Sequence, residues 1–403
     1  MATQLSLFEQ AARVFDGWTD DETGMRVLRL PNEDGFFRAG LSESFPLRTT
    51  YHQQPPFFDG GRKVILLRDN IRHNDDNAPW VLDLTTGDLS RPFPPGFIPL
   101  LFKEKTGTAI MLRKSVEGRT TYIWDMRAGR VIATLPHPDP AFQIQEVSML
   151  ADGRTAIATY FRGKIYDEPV HSKIYLFGEG CEPQLLVETR NHFISHIQGS
   201  PHDPNLFSYD RWPTPKRRID HVITLATLDG TLHKTSPLAP EAVRPGGVWG
   251  AQRDHYLWLP DGSAIASYVS TYGSEDPTAY DLPWTDHTKL DWWVSVLDWR
   301  TGKDVAVKYP DGRWGGNFTI SPDARYIVNP GAPNFLKIYL IDIAKLREGW
   351  NERVLCNMPE TDVLTNNHGP FHMPHPLPDM SGVIFTAAFP EARQWTYLVE
   401  WGS

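Results

Sequence analysis

The sequence predicts an all-β protein, a seven-bladed β-propeller, on three observations. A unit of about 50 residues recurs along the chain, which is the period of propeller blades. Each unit alternates short apolar segments with turns that contain Asp and Gly, a pattern typical of antiparallel strands. The chain of 403 residues contains 31 Gly and 34 Pro, and no long helical segments alternate with the strands as they would in an α/β fold.

Seven repeats can be followed through one apolar strand segment in each. These segments are residues 63–67, 108–112, 155–159, 206–209, 264–269, 326–329 and 383–387. The last repeat lacks its outermost strand, and we expect residues 25–30 to supply it, so that the ring is closed by both termini. The sequence predicts a short helix over residues 6–15, outside the ring. Since no domain boundary is evident, residues 1–403 are predicted to form a single domain.

Composition excludes several classes of protein. The longest apolar runs, such as residues 64–67, fall far short of the roughly 20 residues that cross a bilayer, which argues against a membrane protein. Residues 1–15 lack the basic start and apolar stretch of a signal peptide. We therefore predict a cytoplasmic protein, although a secreted chain trimmed of its leader would show the same features. Two cysteines argue against a disulfide framework, and a net charge of -9 argues against nucleic-acid binding.

Polar residues precede the Asp-Gly turns in five of the seven repeats. Because the first strand of each blade lines the channel of a propeller, these residues are expected to converge on one axis. They include His52, Gln53, His196, His255, Asn317, His368, His372 and His375. One interpretation is a set of hydrogen-bonded residues around ordered water. Another interpretation is a metal site, because Asn317, His368, His372 and His375 have the donor types that bind a divalent metal.

A second group lies in the fourth repeat, where Tyr209, Asp210 and Arg211 end a predicted strand. The basic run of residues 216–218 follows in an insertion. A guanidinium here could bind a carboxylate through two hydrogen bonds. The alternative is a solvated basic loop.

Absent motifs narrow the function further. The sequence has no GxSxG, GxxxxGK[ST], strand-associated GxGxxG or HExxH motif, which disfavours serine hydrolases, nucleotide chemistry and zinc proteases. It also lacks the repeated Trp-Asp ending of common interaction propellers.

Several segments resemble oligogalacturonate lyases, which are seven-bladed polysaccharide lyases. Residues 196–210, HIQGSPHDPNLFSYD, are similar to the fourth-blade motif of that family, and residues 255–262, HYLWLPDG, resemble its His-Glu-Phe-Trp-x-Pro-Asp-Gly. Residues 374–376 resemble part of its last-blade His-Pro-His-Pro, and residues 20–24, DDETG, resemble its opening Asp-x-x-Thr-Gly. The motifs follow the family's order over nearly the whole chain.

The resemblance implies β-elimination of a 4-linked uronide with a divalent metal such as manganese. It places His255 on the general base, His196 on an active-site histidine, and Arg218 or its neighbour Arg217 on the arginine that binds the substrate carboxylate. A neutral histidine suits removal of the C5 proton once that carboxylate is neutralised. Arg211 is a second candidate for the carboxylate, and Tyr209 is an alternative to His196 for proton transfer to the leaving oxygen.

This chain departs from the family mainly at the metal site. Asn317 and Met373 replace family histidines, and Pro370 replaces a glutamine, whereas His375 matches. The metal could therefore be shifted onto His368 and His372, exchanged for a harder cation such as calcium, or lost. These changes also suggest a substrate other than oligogalacturonate, for example a glucuronate-containing glycan.

The sequence thus predicts a lyase acting on a uronic-acid oligosaccharide. A non-catalytic propeller that binds a protein or a sugar is the alternative, because fold does not fix function. A glycosidase is a third candidate, and it would need two carboxylates facing each other across the pocket.

Overall fold

The computed structural model confirms the predicted fold class. The strands it describes form seven antiparallel sheets, which are the blades of a β-propeller. The described residues are 5–31, 33–40, 47–50, 53, 55–68, 79–94, 96–103, 106–115, 118–135, 137–164, 169–178, 181–214, 221–236, 250–272, 291–310, 317–330, 337–357, 373–389 and 393–402.

Short strands dominate the chain, as the repeats predict. They are β1 (Gly17–Thr19), β2 (Arg26–Leu30), β3 (Leu47–Arg48), β4 (Phe57–Phe58), β5 (Lys63–Arg68), β6 (Trp80–Asp83), β7 (Leu89–Ser90), β8 (Phe97–Lys103), β9 (Thr108–Ser115), β10 (Gly118–Asp125), β11 (Arg130–Leu135), β12 (Gln143–Met149), β13 (Thr155–Arg162), β14 (His171–Gly178), β15 (Cys181–Arg190), β16 (His192–Gly199), β17 (Leu206–Pro213), β18 (Val222–Thr227), β19 (His233–Thr235), β20 (Gly250–Trp258), β21 (Ile265–Tyr272), β22 (Asp291–Leu297), β23 (Asp304–Lys308), β24 (Thr319–Ile320), β25 (Tyr326–Asn329), β26 (Lys337–Asp342), β27 (Arg353–Asn357), β28 (His375–Pro376), β29 (Gly382–Phe389) and β30 (Arg393–Glu400). The helices are α1 (Leu7–Ala11), α2 (Glu33–Arg38) and a 3₁₀ helix (Ile343–Glu348).

The chain divides into two compact units. One contains Met1–Ala133, Gly316–Asp342 and Glu352–Ser403, and the other contains Thr134–Gly315 and Ile343–Asn351. In the first unit, β2 pairs with β30, so an amino-terminal strand extends the sheet β28-β29-β30. The single-domain organisation suggested by the repeats stays a prediction.

The amino-terminal helix α1 packs on this same sheet. Ser6 caps it by accepting a hydrogen bond from the Glu9 amide at 3.2 Å, and Leu7 and Phe8 are buried. The Leu7 amide also donates to a carboxylate oxygen of Asp379 at 2.7 Å. No helix within the described ranges is long and apolar enough to cross a membrane.

The recurrent aspartates of the sequence stabilise the turns. Each accepts hydrogen bonds from backbone amides two or three residues further along, as the short side chain of Asp does in tight turns. Asp152, for example, binds the amides of Arg154 and Thr155 at 2.9 Å. Asp125, Asp261 and Asp298 accept equivalent bonds.

In the second unit, three sheets position the site. They are β12-β13-β14-β15, β16-β17-β18-β19 and β20-β21-β22-β23. One face of the middle sheet packs Phe207 and Tyr209 against residues of the sheet that precedes it. The opposite face packs Leu206 and Ile223 against Tyr256 of the sheet that follows. The two faces of β17 therefore have different neighbours.

Candidate active site

The first strands of two consecutive sheets, β16 and β20, share an irregularity. The register of β16 against β17 shifts around His196, and that of β20 against β21 shifts around His255. The two histidines have φ angles of 47° and 46°. A non-glycine residue at positive φ is uncommon and costs about 1 kcal/mol or more. The same strained conformation at matching positions of two strands indicates a function for these side chains.

The two imidazole rings are in contact. The centroids of His196 and His255 lie 5.1 Å apart, with the ring planes at 47°, a spacing typical of ring pairs in contact. The side chain of His196 is 10 % exposed, and His255 is partly exposed. The fold therefore brings together these two of the candidate residues.

Asp210 holds the His196 ring through a hydrogen bond at Nδ1. This carboxylate is fully buried and lies 2.6 Å from Nδ1 of His196. It also lies 2.9 Å from Nε2 of His221 and accepts a hydrogen bond from the Ser195 hydroxyl at 2.5 Å. Burial acts to raise the pKa of Asp210, but its interactions with His196 and His221 outweigh this and hold the pKa well below its usual range.

The Asp210 contact determines how His196 can react. Because an ionised carboxylate only accepts hydrogen bonds, Nδ1 of His196 carries a proton. Proton transfer between this ring and a substrate would then take place at Nε2. The carboxylate also stabilises a positive charge on the ring, as an aspartate does for the histidine of a catalytic triad.

Two hydrogen bonds link the irregular segments of β16 and β20. The Tyr256 hydroxyl donates to the carbonyl oxygen of His196 at 2.6 Å, and the Gln198 side chain donates to the carbonyl oxygen of Tyr256 at 2.7 Å. Tyr256 is fully buried, and burial raises its pKa well above the usual value. The hydroxyl therefore stays protonated and can donate throughout the physiological range. These bonds hold together the backbone segments that carry the two histidines.

Glu146 occupies the matching place in the preceding sheet. It lies three residues before the end of β12, as His196 and His255 do in β16 and β20. A carboxylate oxygen of Glu146 accepts a hydrogen bond from the Ile197 amide at 3.1 Å. Burial raises the pKa of Glu146, although the nearby His196 opposes this effect. We therefore infer that Glu146 stabilises the strained segment that carries His196.

Replacement of Glu146 should destabilise this segment. Glu146→Ala leaves the Ile197 amide without its carboxylate acceptor, and we expect the free energy of unfolding in urea to fall by about 1–3 kcal/mol. Glu146→Gln keeps a side-chain oxygen and should cost less. Equal losses in the two variants would contradict the assigned role.

The pH dependence gives a second readout for Glu146. Because folding raises this pKa, the folded chain holds a proton that the unfolded chain has released once the pH exceeds the ordinary carboxyl value. The contribution of Glu146 to the free energy of unfolding therefore falls as the pH rises from the ordinary carboxyl pKa to the raised pKa of the folded chain. Glu146→Gln should remove this decline, and its stability relative to the native chain should rise across the same window.

Tyr209 does not lie with the histidine pair. Successive residues of a strand face opposite sides of a sheet, so Tyr209 faces away from the side that Asp210 occupies. Its hydroxyl is 3.0 Å from Nε2 of His233, and burial raises its pKa to about 12. The role of Tyr209 in proton transfer stays a prediction, and the structure places its hydroxyl beside His233. Arg211 shares the Tyr209 face. Burial lowers the pKa of the partly buried His192, and the charge of Arg211 lowers it further.

The remaining arginine candidates, Arg217 and Arg218, lie outside the described residues, as do the metal candidates His368 and His372. Among the residues described, no group of three or more His, Cys, Asp or Glu side chains is arranged to hold a metal ion.

The two described metal candidates are Asn317 and His375. Nε2 of His375 lies 3.0 Å from the Thr50 carbonyl oxygen, to which it donates, and burial lowers the pKa of His375 to about 4. This ring is a neutral, buried group that ties β28 to the chain near Thr50. Because His368 and His372 lie outside the described residues, the four-residue metal site stays a prediction.

Three residues of the site were not assigned from the sequence: Asp210, His221 and Glu146. Asp210 follows Tyr209 directly. Because successive residues of β17 face opposite sides of the sheet, the two side chains face different neighbours, and this alternation is the signal that could have identified Asp210. Glu146 could have been found by aligning the ends of the first strands. His221 is preceded by an insertion, and we find no sequence signal for it.

These features define a class: a β-propeller with a strained, carboxylate-supported histidine pair on neighbouring blades. Sequence comparison finds no matching protein family and no matching curated protein. Among solved structures, the chain is similar to an oligogalacturonate lyase in complex with manganese, with a TM-score of 0.71, 16% identity and 96% coverage of both chains. It is also similar to an oligogalacturonate lyase from Vibrio parahaemolyticus, with a TM-score of 0.68, 16% identity and 96% coverage of both chains. At this identity, the likeness establishes the propeller fold.

Proposed function

We propose that the chain is a lyase that cleaves a 4-linked uronic-acid oligosaccharide, of galacturonate or glucuronate, by β-elimination. The observation that carries this proposal is the contact between His196 and His255, with Asp210 supporting His196. The similarity in fold to two oligogalacturonate lyases supports the same class of reaction.

β-Elimination requires a base and an acid near each other. The base removes the proton from C5, and the electron pair of that bond forms the C4–C5 double bond. The bond between C4 and O4 breaks, and O4 leaves with its electron pair and takes up a proton from the acid. Histidine suits both tasks near neutral pH.

The charges around the pair assign the two roles. Asp210 stabilises a proton on His196, so His196 is the acid that protonates O4. We assign the base that removes the C5 proton to His255, whose ring centroid lies 5.1 Å from that of His196.

The substrate carboxylate must be neutralised before the C5 proton becomes acidic enough to remove. We propose Arg218 for this role, with Arg217 and Arg211 as alternatives, because a guanidinium binds a carboxylate through two parallel hydrogen bonds. A bound manganese or calcium ion would supply the same charge, with Asn317, His368, His372 and His375 as its proposed ligands. No step is assigned to a metal here, since the described residues do not form such a site.

Two features distinguish this proposal from its alternatives. The carboxylates of Asp210 and Glu146 are engaged with histidine side chains and backbone amides, which does not suit the paired acid and base of a glycosidase. A non-catalytic scaffold has no need for two strained histidines in contact.

A screen with uronic-acid oligosaccharides tests the function. Elimination creates a 4,5-unsaturated uronate, so ultraviolet absorbance should rise during incubation with 4-linked galacturonate or glucuronate oligomers. Shorter products without this absorbance would indicate hydrolysis. No product from any uronide, with the protein folded, would contradict the proposal and favour the scaffold. Elemental analysis and activity after chelation decide whether a metal takes part.

A further inference from the structure

The contact between the two histidines bears on the stereochemistry of the substrate, an inference that rests on the proposed lyase function. In a 4-linked hexuronate, the C5 proton and O4 lie either on the same face of the sugar ring or on opposite faces. They are on the same face in glucuronate and on opposite faces in galacturonate. The base and the acid must approach from the corresponding sides.

Elimination across opposite faces would place the sugar between the two catalytic groups. A ring held between two imidazoles makes a van der Waals contact of about 3.5–4.0 Å with each, so their centroids would lie about 7 Å or more apart. The centroids of His196 and His255 are 5.1 Å apart. The sugar ring therefore does not fit between them.

The backbone and Asp210 keep the rings in this arrangement. Nδ1 of His196 is bound to the buried Asp210, and the Tyr256 hydroxyl binds the carbonyl oxygen of His196. Both histidines stand on matching irregularities of neighbouring strands, so they are side by side rather than opposed. The His196 ring is therefore held by Asp210 and its backbone by Tyr256.

We infer that His255 and His196 act from one face of the sugar and that the chain prefers a 4-linked uronide whose C5 proton and O4 share that face, as in glucuronate. The reaction is then a syn elimination. His255 takes the C5 proton while the adjacent His196 donates to O4, and the two groups need not surround the ring.

Two synthetic substrates isolate this property. They are methyl hexuronosides that carry the same sugar on O4 and differ only in configuration at C4, one gluco and one galacto. Both give the same 4,5-unsaturated product, because C4 loses its configuration in the reaction, so a single absorbance measurement compares them directly. Oligomers of 4-linked glucuronate and of 4-linked galacturonate are measured alongside.

We expect kcat/KM for the gluco epimer to exceed that for the galacto epimer by about 100-fold or more. Equal or faster elimination from the galacto epimer would overturn the inference and leave the lyase function intact. If neither epimer nor either oligomer yields an unsaturated product, the lyase function itself fails, and the inference fails with it.

His196→Gln provides a matched test with the gluco epimer. If His196 protonates O4 from the same face, the variant should lose about 100-fold in kcat with a sugar on O4. It should lose little when O4 is replaced by fluoride, which leaves without a proton. An equal loss with both leaving groups would contradict the assigned role of His196.

Discussion

Replacing His255 by asparagine is expected to lower kcat by about 10²–10⁴-fold, because the proposed base for removal of the C5 proton is lost. Asparagine is the appropriate replacement, since His255 has a φ of 46° and asparagine tolerates positive φ better than most residues. The fold should therefore persist. The measurement is the initial rate of product absorbance under saturating substrate, together with the thermal unfolding midpoint.

A control and a rescue make this prediction specific. His202→Asn replaces an exposed histidine in the same repeat as His196, one whose Nε2 donates to the Pro260 carbonyl oxygen, and its kcat should be unchanged. His255→Gly leaves space where the ring stood, and added imidazole should restore part of its activity. If His255→Asn retains kcat within about threefold, His255 is not the base, whatever the outcome of the rescue.

The fold could be predicted because its determinants are local. Each blade is encoded by an apolar strand and an aspartate that binds the amides of its own turn, as Asp152 and Asp298 do, and such features recur at fixed spacing. The added strand was also predictable, since residues 26–30 contain the apolar Val27, Leu28 and Leu30, which β2 buries where it pairs with β30. The short helix α2 was not predicted, because its contacts are with distant parts of the chain, for instance Arg38 with Asp88.

The site was only partly predictable, because it depends on which face a strand residue occupies. His196 and His255 could be named, since they precede recurrent turns in first strands. Tyr209 and Asp210 are adjacent in β17 and face different neighbouring sheets, which the sequence does not specify. Asp210 contacts His196, whereas the Tyr209 hydroxyl contacts His233. The positive φ angles of both histidines follow from register shifts that no local pattern encodes.

The second large effect is expected at Asp210, a positioning residue that acts through His196. Asp210→Asn places an amide where three donors converge from Ser195, His196 and His221. The amide carries no charge to stabilise a protonated His196. We expect kcat to fall by about 100-fold for substrates with a sugar on O4, as in His196→Gln, because the aspartate charge that supports the histidine is removed. With fluoride as the leaving group, which needs no proton, most of the loss should disappear.

The same substitution should also destabilise the fold, by about 3–5 kcal/mol in urea unfolding at neutral pH, because it breaks a fully buried charged network. Folding lowers the pKa of Asp210, so the unfolded chain binds this proton more readily than the folded chain. The stabilisation is therefore present above the ordinary carboxyl pKa and is lost as the pH falls below about 4. The stability difference between the native chain and Asp210→Asn should narrow over that acid range. A difference that stays constant from pH 7 to pH 3 would show that the charge on Asp210 does not hold the histidines, and a native-like kcat in a folded Asp210→Asn would remove it from the mechanism.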